Sequence, residues 1–295
     1  MKTFRPQNMT LLVQQLLEEG KTIKALQVLQ DTLDKHPNDI ALLFEAALLQ
    51  HEVGNYQEAL DLYGQILTLS GKEAGAHYGR GIIYQEQDLL NDALAAYKAA
   101  VDVDSTYVQA LLAQADMEDE LGHAQKAEAL YIHALSLGDE AYQVLTQYAS
   151  FLEGQDRDQQ ALDQLVLALE IDQDHYLAWF NLGVVHKKLG DLMAARQAYG
   201  KAILCKPDYP YSYLNLAVME KGAGDFDKAA DILTSGIMNN PHVSVLYYNR
   251  AIMLNVLGHK SQALEDLQEA CRLSPRLKAY ALEDEELVGV RERLK

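Results

Sequence analysis

Residues 176–209 read YLAWFNLGVVHKKLGDLMAARQAYGKAILCKPDY. Trp179, Leu182 and Gly183 fall at i, i+3 and i+4, so they share one face of a helix. Ala195 and Tyr199 stand four apart on a second helix and can face them. Gly183 and Ala195 are small where two helices must come close, and Tyr199 fills the space beside them. Gly190 suits the left-handed conformation that ends a helix, and Pro207 cannot continue the second one. Two antiparallel helices are expected, over about 176–189 and 193–206, with Gly190-Asp191 as the turn.

Steps of 34 residues from Tyr176 keep register in both directions without an insertion. The units are 6–39, 40–73, 74–107, 108–141, 142–175, 176–209, 210–243 and 244–277. The small residue early in the second helix is alanine in all eight: Ala25, Ala59, Ala93, Ala127, Ala161, Ala195, Ala229 and Ala263. Four residues on stand Leu29, Tyr63, Tyr97, Tyr131, Leu165, Tyr199, Leu233 and Leu267. Turn residues are Gly20, Gly54, Asp88, Gly122, Asp156, Gly190, Gly224 and Gly258.

The order W-x2-L-G, then A-x3-aromatic, then Pro within 34 residues resembles the tetratricopeptide signature, with His186 in place of the usual tyrosine. The resemblance runs over residues 6–277 and implies an all-α fold: an α-solenoid, a right-handed superhelix of antiparallel helix pairs. After it, Tyr280, Leu287, Val290 and Leu294 form an apolar stripe at helical spacing. Residues 278–295 are therefore expected to form a capping helix over the last apolar face.

Composition narrows the function. The chain has 295 residues, 49% of them hydrophobic, and a net charge of −18, which argues against nucleic acid or an anionic membrane as the main partner. Residues 1–175 hold 10 Lys+Arg against 29 Asp+Glu, whereas residues 176–277 hold 11 against 9. The last third of the array is thus electrically unlike the rest. The opening stretch MKTFRPQNMTLLVQQLLEEG is too polar for a signal peptide, and no apolar run is long enough for a membrane span. Cys205 and Cys271 form no C-x-x-C pair, so neither a disulfide framework nor a zinc site is expected. A cytoplasmic location is the simplest expectation.

The nine histidines do not recur at one repeat position, and no H-E-x-x-H, G-x-S-x-G or Walker loop is present. Acidic clusters such as Asp116, Glu118, Asp119 and Glu120 read as solvated helix faces. No enzyme and no cofactor are expected.

In the family, the first helix of each unit lines the concave surface. Unit positions 2, 6, 9 and 13 then share one outward face. Position 6 reads Gln147, Asn181, Asn215 and Asn249 in the last four units, and position 9 reads Val184, Val218 and Ile252 in the last three. Tyr211 stands at position 2, and Lys187, Lys188 and Lys221 lie at positions 12 and 13.

An asparagine amide offers donor and acceptor together, so a row of them can pair with a peptide backbone of any sequence. Such a ladder looks like those of tetratricopeptide superhelices that hold extended peptides, including the arrays of O-linked N-acetylglucosamine transferases. The lysines beside it favour an acidic ligand, whereas Glu52, Glu86, Asp119, Glu120 and Glu153 at the same positions earlier would favour a basic one. Phe180 and Val184 stand where the family's carboxylate clamp for chaperone C-termini needs Lys and Asn, which argues against that role. The expected function is a non-catalytic scaffold holding an extended segment of a partner protein in its groove. The alternatives are a self-associating scaffold and a sensor of a short free peptide.

Overall fold

The structure, a computed structural model, describes residues 6–294. Met1–Arg5, part of the stretch read for a signal peptide, lie outside the described residues. Among the described residues there is no strand.

The chain divides after Glu140 into two compact units. The first holds α1 (Pro6–Glu18), α2 (Thr22–Leu33), α3 (Ile40–Glu52), α4 (Tyr56–Leu69), α5 (Ala74–Glu86), α6 (Leu90–Val103), α7 (Val108–Glu120) and α8 (Ala124–Leu137). The second begins with α9 (Ala141–Gly154), α10 (Asp158–Ile171), α11 (Tyr176–Lys188), α12 (Leu192–Cys205), α13 (Pro210–Gly222) and α14 (Phe226–Asn239). It closes with α15 (Ser244–Val256), α16 (Lys260–Leu273) and α17 (Leu277–Glu283). In both units each odd-numbered helix up to α15 packs against the even-numbered helix that follows it.

The repeating alanines explain the pairing. Each of the eight, from Ala25 to Ala263, is 0% exposed. With only a methyl group between them, two helix backbones approach closely. The bulky residue one turn on fills the flank of that contact, and from Leu29 to Leu267 it is buried in every pair.

The turns between paired helices share one geometry. Gly190 has φ +83, its N–H donates to the carbonyl of Lys187, and the N–H of Asp191 reaches back to that of His186. This is the Schellman arrangement, which satisfies carbonyls left over at a helix end. The bond five residues back recurs in all eight turns, from Lys21–Leu16 to His259–Leu254. Asp88 and Asp156 adopt the same left-handed conformation without being glycine.

The segment after α16 is not the single helix the apolar stripe suggested. After the seven residues of α17 come two short 3-10 turns, Glu285–Leu287 and Arg291–Arg293. Gly289, with φ +89, interrupts any continuous helix there. Leu287, Val290 and Leu294 are buried as the stripe implied, but Tyr280 is 67% exposed and Ala281 packs inward instead. Each buried aliphatic side chain stabilises the seat by about 1.5–3 kcal/mol.

Candidate peptide-binding face

In the second unit α9 touches α11 and α13 touches α15, so first helices of successive pairs form a layer. The amides of position 6 lie along it. Gln147 is exposed, and Asn181, Asn215 and Asn249 are half-buried. The Nδ2 of Asn215 donates to the Tyr211 carbonyl at 3.0 Å, and that of Asn249 to the Val245 carbonyl at 2.8 Å. Each amide is therefore pinned to its own helix. Beside this row Tyr211 is 55% and Val218 44% exposed.

Two aliphatic residues expected on this face belong to the packing. Ile252 is buried in the core formed with Leu246, Leu267 and Leu287. Val184 is half-buried against the cluster of Ala195, Tyr199 and Met219. An aliphatic row over all three positions is thus reduced to Val218, because neighbouring helices cover the other two.

The lysines are not the open cationic edge their positions suggested. Lys188 Nζ lies 2.7 Å from Glu153 Oε1 and 3.3 Å from Asp156 Oδ1, and it donates to the Glu153 carbonyl at 2.9 Å. The hydrogen bonds to Glu153 push its ammonium pKa well above the usual lysine value. Lys221 Nζ lies 2.6 Å from Glu286 Oε2. Lys187 alone of the three is exposed without a described ion pair.

These pairs follow a spacing of their own. Glu153 and Lys188 are 35 residues apart, joining position 12 of one pair to position 13 of the next. His51 and Glu86 are joined in the same register in the first unit, at 2.8 Å. For Lys221 the residue at that spacing is Val256, which offers no charge. The anion comes instead from Glu286, 65 residues on.

Glu286 is part of a wider contact that apolar periodicity did not indicate. The Tyr248 hydroxyl donates to Asp284 Oδ2 at 2.7 Å. Asn255 Nδ2 donates to the carbonyls of Glu286, at 2.8 Å, and Val288, at 3.2 Å. Arg291 closes the segment on itself by donating to the Asp284 carbonyl. Burial, with Asp284 beside it, pushes the Tyr248 phenol well above its usual pKa. Position 12 in the last pair is Asn255, so a column read through Glu153, Lys187 and Lys221 would have marked it as polar.

An aromatic row runs along the start of the same helices. Tyr142 meets His175 at 5.1 Å between ring centroids, and Tyr176 meets Tyr209 at 5.0 Å. Phe180 and Tyr211 both pack on Tyr209. Lys206 Nζ lies 4.6 Å from the centre of the Tyr176 ring. Burial holds the His175 imidazole below its ordinary pKa. His186 is half-buried in its packing position.

The first unit is acidic on the corresponding helices. Asp116, at position 9 of α7, accepts from the Tyr131 hydroxyl, and burial pushes its carboxyl pKa up. Among the described residues no group of three His, Cys, Asp or Glu is placed to hold a metal ion. No helix there is long and apolar enough to cross a membrane.

Comparison with known proteins places this arrangement. Family models described as tetratricopeptide repeat match residues 44–106 and 166–197. One described as anaphase-promoting complex subunit 5 matches residues 239–276. A probable UDP-N-acetylglucosamine–peptide N-acetylglucosaminyltransferase SPINDLY from Hordeum vulgare is 31% identical over 160 residues, covering 52% of this chain and 17% of that protein. Yeast Tom70 superposes with a TM-score of 0.75 at 15% identity, over 93% of this chain and 60% of Tom70. The APC/C hetero-tetramer Cut9-Hcn1 gives 0.62 at 17% identity, over 98% and 55%. This chain spans less than two thirds of each of these relatives, and the structural likenesses bear on the fold alone. With in-register pairs, shared turns and matching repeat models, the chain is a tetratricopeptide-repeat protein.

Proposed function

We propose that the first-helix layer of the second unit holds an extended segment of a partner protein, without catalysis. The observation that carries this reading is the pinned amide row. Asn215 and Asn249 spend one N–H on their own helices, and an asparagine amide has a second N–H and a carbonyl oxygen with which to meet a peptide backbone. Packed helices stand about 8–10 Å apart, and an extended chain rises about 3.3 Å per residue. One rung then meets about every third residue of the bound strand. Tyr211 and Val218 add apolar contact beside the amides. The acidic balance of the chain disfavours nucleic acid and anionic membrane as competitors for the role.

The test is Asn181→Ala, Asn215→Ala and Asn249→Ala together, measured against a partner captured by the parent protein. Each lost hydrogen bond removes on the order of 1 kcal/mol, so binding should fall by about a hundredfold with helicity unchanged. Equal binding by parent and variant would remove this face from consideration. A second reading, self-association, rests on Met193, Leu204 and Met238, each more than 70% exposed on second helices. Sedimentation equilibrium separates it: only that reading expects a dimer of the parent protein.

A further inference from the structure

We propose that the face of α13 and α15 is a built site for an acidic segment of the pattern Asp-x-Glu-Leu, and that residues 284–288 fill it in cis. A partner carrying the same pattern binds by displacing them. The inference rests on the reading of this layer as a peptide-binding face, and it names the chemistry of the ligand at one end.

The segment is held as a recognised peptide is held. Side chains read its acids: Tyr248 takes the Asp284 carboxylate and Lys221 the Glu286 carboxylate. A backbone reader is present as well, since Asn255 donates to two carbonyls either side of Leu287, those of Glu286 and Val288. An apolar anchor completes the set, with Leu287 fully buried in the core of the last pairs. Charge, backbone and an apolar anchor together are means by which a peptide ligand is selected.

Charge complementarity points the same way. Residues 176–277 carry 11 Lys+Arg against 9 Asp+Glu in a chain that is otherwise strongly acidic. Lys221 has Val256 where the 35-residue register would supply an anion, so the array leaves this cation for something outside the register. Glu283–Glu286 is a run of four acids, and it meets that cation. Gly289, at φ +89, turns the chain so that Val288 can offer its carbonyl while Val290 returns to the core.

The probe is a fluorescent synthetic peptide of residues 279–292, AYALEDEELVGVRE, titrated into the full-length chain. The parent, with its site filled, should bind it weakly. Asp284→Asn with Glu286→Gln loosens the resident segment while keeping its apolar seat, and should bind the peptide at least ten times more tightly. Lys221→Glu in that background should abolish the gain, and a peptide carrying Glu286→Lys should restore it. Leu287→Asp, checked for helicity by circular dichroism, provides a second way to unseat the segment and should give the same gain. Equal peptide binding by parent and loosened variants, or indifference to Lys221→Glu, would overturn the proposal. So would a loosened variant that dimerises by exchanging segments, since the site would then serve a second copy of the chain. The amide-row variant tests the groove separately: partner binding unchanged from the parent, with peptide exchange intact, sinks the proposed function and leaves this site standing.

Discussion

A methyl group added to Gly183 would stand 2.7 Å from the Tyr199 ring, and Tyr199 is 0% exposed. The ring therefore has no room to retreat. Gly81 and Tyr97 stand in the same relation. In three other pairs the trade is reversed, with Ala149, Ala217 and Ala251 facing Leu165, Leu233 and Leu267. Where alanine coexists with tyrosine, the ring is engaged elsewhere: Tyr63 lies over Gly79, and the Tyr131 hydroxyl bonds Asp116. Gly183→Ala is expected to cost about 1–3 kcal/mol by overpacking. Adding Tyr199→Leu should recover most of that loss, which urea denaturation of the single and double variants would measure. Additive losses would show that the two positions do not compensate.

Asp88 holds φ +60 at a position where six of the eight turns have glycine. The left-handed conformation costs a side-chain-bearing residue more than it costs glycine, although glycine loses more entropy on folding. Asp88→Gly should raise stability by about 0.5 kcal/mol. Asp156→Gly should gain less, because Asp156 lies 3.3 Å from the Lys188 ammonium. Thermal melts of the two variants, compared side by side, test the order.

Glu220 is 3% exposed and sits against Arg196 Nε at 2.7 Å and Lys228 Nζ at 3.1 Å. Burial alone would push its carboxyl up, but the two cations hold it below the ordinary value of 4.5. A depressed carboxylate contributes stability above its unfolded pKa and loses it as pH falls through the folded one. Glu220→Gln should therefore cost about 1–3 kcal/mol at neutral pH. The gap between variant and parent should close as the pH drops below 4.5. A gap that persists at low pH would show that packing, not charge, is what the substitution removed.

Arg250 grips Asp266 with two bonds of 2.7 Å and donates a third to Thr234. Lysine cannot reproduce that fork. Since Asp266 is only 7% exposed, Arg250→Lys should cost about 1–3 kcal/mol, seen as a lower midpoint in denaturant.

The pairs were legible in the sequence because their causes are local and periodic. An alanine at every helix contact and a left-handed residue at every turn each follow from one backbone requirement, repeated every 34 residues. The segment after α16 was less legible because it lies outside the period. Its apolar residues fit a helical stripe, yet Gly289 breaks that helix and Tyr280 turns outward. Position along a helix located the amide row, but not the partners of Lys188 and Lys221. Those partners depend on which side chains adjacent pairs bring together, and the Glu286 contact spans 65 residues.

The side chains that hydrogen-bond segment 284–290 from the paired helices are Lys221 of α13 and Tyr248 and Asn255 of α15. None of those hydrogen bonds reaches back to α9–α12. Gain or loss of a whole 34-residue pair upstream of α13 would leave each of them in place. A tandem duplication or deletion upstream of α13 would thus change the length of the array without touching the side chains that grip segment 284–290.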